Sequence, residues 1–317
     1  MRTFAASALT EPPFPGRLNE HTPVAADLSA RWAGDLGLVA TPAESSRLAR
    51  ANAADLAGRA CPDAAPEHLG LLTDLITWLF AFDDRCDDDG LGADPGRLAP
   101  VVARLLDIVD LIGDEAPATL LKSAGPIGVA LHDLGRRVRA QTPPALLLRF
   151  ATELRDYLLA LLWEAANRVQ HRRPVVSEYV QMRRHTGAVY PSFTLTDAAH
   201  HADPDATWLA DSRLSKLDLL AADLVCWCND IFSYDKERRA GSDGHNLAAA
   251  VATETGLDET KALTAAANRF NDALEAYLRL EHEVLADGDR QVARFATARR
   301  CWIRGTYDWS MRAARYN

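Results

Sequence analysis

Several kinds of segment are missing from this 317-residue chain. No run of 18 apolar residues occurs, which leaves no candidate membrane-spanning helix and no expectation of stable membrane anchoring. The five cysteines (Cys61, Cys86, Cys226, Cys228 and Cys301) show no framework spacing, which excludes a disulfide scaffold. A reducing cytoplasm is expected. Basic residues are outnumbered 35 to 44, for a net charge of −9, so no nucleic-acid partner is expected. Met1–Ala5 carries one positive charge and a short apolar stretch before Glu11, too little for a signal peptide. Alternating β-branched stretches, internal repeats and heptad arrays are absent too, and aromatic residues are only 7%.

What is present reads as helix. Apolar residues make up 48% of the chain and recur at three-and-four spacing from Ala25 onward. Helices are predicted near 24–36, 43–58, 66–85, 96–112, 117–138, 144–170, 175–186, 188–200, 212–238, 257–284 and 289–313. Breakers at Pro62, Gly90, Pro95, Pro126, Pro143, Pro174, Pro204 and Gly241–Gly244 support those boundaries. Pro12, Pro13, Pro15 and Pro23 make residues 1–22 an extended arm, and residues 23–317 contain no linker, so one all-α domain is expected.

Two apolar helices end in oxygen-rich clusters. Leu217–Cys228 runs into Asn229, Ser233 and Glu237, which share one helical face at i, i+4 and i+8. An amide, a hydroxyl and a carboxylate in a row suit hard Mg²⁺ rather than zinc. Leu75–Phe82 runs into Asp83, Asp84, Asp87, Asp88 and Asp89. Like charges at i, i+4 repel, so this cluster needs a compensating cation. Each cluster alone also reads as a polar helix end or an acidic loop start. Together they point to a shared Mg²⁺ site built to hold a diphosphate, which requires one domain to bring them together.

Asn229–Glu237 matches (N/D)D(L/I/V)x(S/T)xxxE, and Asp83–Asp87 matches DDxxD, in the order and wide separation found in class I terpene synthases. Arg183, 46 residues before Asn229 and followed at i+4 by Gly187, resembles the diphosphate-sensor arginine and effector glycine of bacterial members. Arg315-Tyr316 looks like their terminal RY pair, and the run from Trp302 to Trp309 is also similar. The likeness covers the chain from about residue 12 to its end.

This resemblance implies a single-domain class I terpenoid synthase bundle around a central cavity, in which three Mg²⁺ ions bind. Asp83, Asp87, Asn229, Ser233 and Glu237 are the implied metal ligands. Asp84 and Asp88 are alternatives for the later aspartate role, since such aspartates often orient arginines. Arg183, Asn229, Lys236, Arg315 and Tyr316 are the implied diphosphate contacts. The resemblance also favours a kink at Gly187 whose backbone carbonyl and Thr186 point into the cavity. Phe80, Leu79 or Trp78, Trp302 and Trp309 are candidates for the cation pocket, where an aromatic face contributes about 0.5–2 kcal/mol. Each reads equally well as core. Scarce aromatics suggest containment more by aliphatic shape than by π-faces.

The expected substrate is an acyclic isoprenyl diphosphate, farnesyl diphosphate foremost, with geranyl and geranylgeranyl diphosphate as alternatives. No side chain stands out as the final base. His185 reads as structural, and released diphosphate is the alternative proton acceptor. The loop Arg238–Asn246 is expected to be mobile without ligand and to help close the pocket. Homodimers are common among relatives. A chain-elongating synthase would show two DDxxD motifs, and a di-metal carboxylate bundle would need Glu-x-x-His pairs. Neither pattern occurs. A non-catalytic helical scaffold remains the alternative outside catalysis.

Overall fold

Apolar spacing of three and four residues buries one stripe of a helix, and the fold is the mutual covering of such stripes. The computed structural model describes residues 8–87, 90–202, 211–240 and 245–313. Among them the regular elements are all helical: α1 Thr22–Asp35, α2 Pro42–Ala51, α3 Ala53–Ala60, α4 Pro66–Asp87, α5 Pro95–Asp110, α6 Ala118–Gln141, α7 Pro144–Val169, α8 Val176–Thr186, α9 Val189–Ala199, α10 Ser212–Ala240, α11 Leu247–Thr255, α12 Glu259–Leu285 and α13 Arg290–Arg312.

Two helices are buried nearly all round. In α4, Leu69 and the whole run Leu71–Trp78 are buried, and α1, α3, α6 and α9 pack around it. In α10, Leu217, Ala221, Ala222 and Leu224–Cys228 are buried, against α8, α9, α12 and α13. Their polar C-terminal turns open onto one cavity.

The structure departs from the predicted boundaries at three places. The single helix expected over 43–58 is two, divided at Asn52, whose φ of 51° is left-handed. Asn tolerates that region because its side chain hydrogen-bonds locally. A helix not predicted, α11, is a short run of small apolar residues without periodicity, and its ends are set by Asn246, whose Oδ1 accepts from Ala248 N, and by Gly256 at φ 70°. Inside α6, Gly125 at φ 64° breaks the helix just before Pro126.

Leu9 and Phe14 of the arm are buried. Phe14 lies edge-on to Tyr277 at 6.1 Å, and Arg304 donates to the carbonyls of Pro12 at 3.0 Å and Phe14 at 3.2 Å. Among the described residues no helix is long and apolar enough to cross a membrane.

Candidate active site

A cavity of about 210 Å³ is enclosed by α4, α7, α8, α9, α10 and α13. The last turns of α4 bring Asp83 and Asp87 to it, while Asp84 faces elsewhere, buried against Arg47 with Nε at 3.3 Å. Asp88 and Asp89 lie outside the described residues. Asp87 accepts from Arg168 Nη2 at 2.8 Å, and Arg168 also donates to Gly92 O at 3.2 Å. Although 43% of the Asp87 side chain is open, burial pushes its carboxyl up to about 7, with Asp83 adding to the rise. The charge of Glu237 contributes as well, so the ends of α4 and α10 share one electrostatic environment.

Asn229, Ser233, Lys236 and Glu237 of α10 all line the cavity. Ser233 donates to Glu237, and Asn246 Nδ2 donates to Glu237 Oε2 at 3.0 Å. Burial, then the charge of Asp230, pushes Glu237 up to about 7. Instead of loosening at Arg238, the helix continues to Ala240. Residues 241–244 of the expected loop lie outside the described residues, as do Arg315 and Tyr316.

Arg183 on α8 donates through Nε to Asp230 Oδ1 at 2.8 Å and through Nη2 to Asn229 Oδ1 at 2.9 Å. Burial opposes its charge, but Asp230 and its other neighbours outweigh that penalty and hold the guanidinium protonated. Asp230, 1% exposed, also accepts from Tyr179 Oη at 2.7 Å and Leu247 N at 3.2 Å.

α8 ends beside this pair. Gly187 has an ordinary φ of −76°, and the left-handed residue is Ala188 at φ 49°. Gly187 is there for space: a Cβ would sit 3.0 Å from Arg183 O and from Cys226 Sγ. Thr186 and Gly187 both line the cavity, and Thr186 Oγ1 is buried with no hydrogen-bond partner among the described residues. His185 packs against Tyr190, at 5.7 Å between ring centroids, outside the cavity lining.

One or two turns earlier on the same helices the lining becomes apolar, with Ile76, Leu79, Phe80 and Val225 facing Leu161, Val189 and Leu56. Phe80 stacks on Trp309 at 5.9 Å, and Trp302 and Tyr157 complete an aromatic wall. The wall is mixed, with these four aromatic rings set among a larger number of aliphatic side chains. Trp78 is excluded, being fully buried in the core with Nε1 donating to Ile127 O at 2.9 Å.

The residues fit divalent cations. Two carboxyls raised to about 7 by burial mark a site short of positive charge, and its donors are carboxylate, amide and hydroxyl oxygens. Among the described residues no three Asp, Glu, His or Cys side chains converge by themselves. Donors divided between two helices suit cations shared with a phosphate ligand.

Sequence reasoning missed Asp230, Arg168, Tyr157, Cys226 and Glu164. Glu164 and Arg168 stand at i, i+4 just after the apolar run Tyr157–Trp163, which was a visible signal. Asp230 is the second position of the matched motif, but its pairing with Arg183 gave no signal, because that contact joins two separate helices.

The family model described as terpene synthase family 2, C-terminal metal binding, matches residues 74–276. The chain is 32% identical to (+)-T-muurolol synthase of Roseiflexus castenholzii, covering 96% of this chain and 92% of that one. It is 33% identical to (−)-delta-cadinene synthase of Streptomyces clavuligerus over 94% and 93% of the two chains. A solved cucumene synthase variant superposes with a TM-score of 0.83 at 26% identity, covering 97% of this chain and 100% of that one. The chain belongs to the bacterial class I terpene synthases. Its activity is that of a lyase which ionises an isoprenyl diphosphate, and its family domain binds metal.

Proposed function

We propose that this chain is a Mg²⁺-dependent sesquiterpene synthase that cyclises farnesyl diphosphate within one α-domain, residues 23–317, capped by the arm. The supporting observation is the union of two oxygen clusters and a protonated, buried arginine at the mouth of an aromatic-walled cavity. Relatives over nearly the whole chain are described as cyclising (2E,6E)-farnesyl diphosphate, which favours that chain length.

Asp83 and Asp87 would hold Mg²⁺ from α4, and Asn229, Ser233 and Glu237 from α10. When bound there, the ions act as Lewis acids that neutralise charge developing on the diphosphate. Three ions are proposed from the family resemblance.

Arg183 donates charge-assisted hydrogen bonds to the diphosphate, held in its direction by Asp230. Lys236 lines the same mouth and adds a second cation. Arg315 and Tyr316 are further donors in this reading. Below them, Leu79, Val225 and Leu161 exclude water from the allylic cation. Phe80, Trp302 and Trp309 present ring carbon to it, because both indole N–H groups are tied into the wall, to Thr196 Oγ1 and Ala51 O. Released diphosphate takes the final proton.

The test is incubation with geranyl, farnesyl and geranylgeranyl diphosphate, with and without Mg²⁺, followed by gas chromatography. A cyclic C15 product from farnesyl diphosphate, lost on chelation, is expected. Product from another chain length alone would overturn the substrate, and none from any would overturn the activity.

A further inference from the structure

One wall of the chamber is made by α9 and α13, which meet through consecutive buried polar residues. Thr196 and Asp197 are both fully buried. Arg299, also fully buried, donates to Asp197 at 2.6 and 3.0 Å. Trp302 Nε1 donates to Thr196 Oγ1 at 2.7 Å. A hydroxyl has a single proton, and Thr196 spends its own on Ser192 O at 2.9 Å. Its lone pairs are therefore left for the indole. Ser192 in turn donates to Ala188 O at 3.0 Å. Ala188 is the left-handed residue at the start of α9, so these hydroxyl-to-carbonyl bonds fix Thr196 relative to the rest of its own helix.

We infer that Thr196 is a positioning residue for the cyclisation, whose hydroxyl sets the tilt of the Trp302 ring and so selects which folded isoprenyl chain the chamber stabilises. The inference rests on reading the cavity as a farnesyl diphosphate site. On the α9 side the indole is backed by Phe193, which packs against it at 5.8 Å and is itself covered by Arg299 at 4.3 Å. What remains is rotation about its side-chain torsions, and the Thr196 hydrogen bond removes it. Leaving a buried indole N–H without an acceptor is costly, so without this one the ring is drawn to tilts where another is within reach. The Cys61 thiol, which also lies beside Thr196, is a weak partner. Ionisation depends on groups at the cavity mouth, and Thr196 has no access to them.

Thr196→Val, Thr196→Ser, Trp302→Phe and the Thr196→Val/Trp302→Phe double variant decide the matter, with diphosphate release and product distribution measured on each. Thr196→Val is expected to release diphosphate within about threefold of the parent rate. Its main product should lose about half its share or more to side products. Thr196→Ser retains the acceptor and restores the parent distribution. Trp302→Phe has no N–H, so Thr196→Val should change nothing further in that background. If Thr196→Val does not fold, Thr196→Ala carries the same expectations. An unchanged distribution in a turning-over Thr196→Val variant overturns this inference alone, as does a shift that recurs in full in the Trp302→Phe background. A parent protein that releases no diphosphate from farnesyl diphosphate overturns the reading of the site and this inference with it.

Discussion

Three donors converge on Asp230: Arg183 Nε, Tyr179 Oη and Leu247 N. Its carboxylate balances a guanidinium that is itself deep in the structure and aims it past Asn229 into the cavity. Asp230→Ala would leave that charge uncompensated, a loss worth about 2–5 kcal/mol. Diphosphate release should fall by about a hundredfold or more. Asp230→Asn retains the shape and one acceptor, so it should fall between the two, measured as kcat/KM on protein shown folded by circular dichroism. Gly187 is a second residue-scale constraint. Gly187→Ala would bring a methyl group within 3.2 Å of Arg183 Nη1 as well as against its carbonyl. Turnover should drop about tenfold and the melting temperature by a few degrees, since the crowding falls both on the arginine and on the buried Cys226. A Gly187→Ala enzyme at the parent rate would show that the arginine has slack to move.

At the scale of elements, α9 is tied to two neighbouring helices by one carboxylate. Asp197 accepts from Arg299 on α13 and from Arg149 Nη1 on α7 at 3.0 Å. Both the Asp197 and Arg299 side chains are wholly buried. Removing one partner of such a pair costs about 3–5 kcal/mol, so Asp197→Ala should melt on the order of 10 °C lower in a thermal scan. The long helices were legible because their periodicity is a property of 10 to 20 consecutive residues. The division at Asn52 and the short helix Leu247–Thr255 were not. The first turns on a single left-handed residue, and the second has no polar face to reveal a period. The Arg183–Gly187 spacing was legible too. That Ala188 takes the left-handed conformation, and that Gly187 makes room for Cys226 on another helix, was not.

At the scale of the whole molecule, the mouth of the cavity stays short of positive charge until cations and a diphosphate enter together. Mg²⁺ with inorganic diphosphate should therefore raise the melting temperature more than the sum of either alone. Saturation at 100 times the dissociation constant would be worth about 2.7 kcal/mol. Chelator should reverse the gain in a thermal-shift assay, and an equal gain from diphosphate without Mg²⁺ would count against a metal-mediated site. The sequence by itself determined that the chain is helical and that two of its helices end in oxygen donors, because both are matters of spacing along one backbone. Only the tertiary structure decided that Glu237 lies near enough to raise Asp87, that Arg168 holds Asp87 and Asp230 holds Arg183, and that Trp302 and Trp309 line the chamber while Trp78 does not. Those facts depend on how helices far apart in the chain are rotated and stacked against one another, and local spacing carries no record of that.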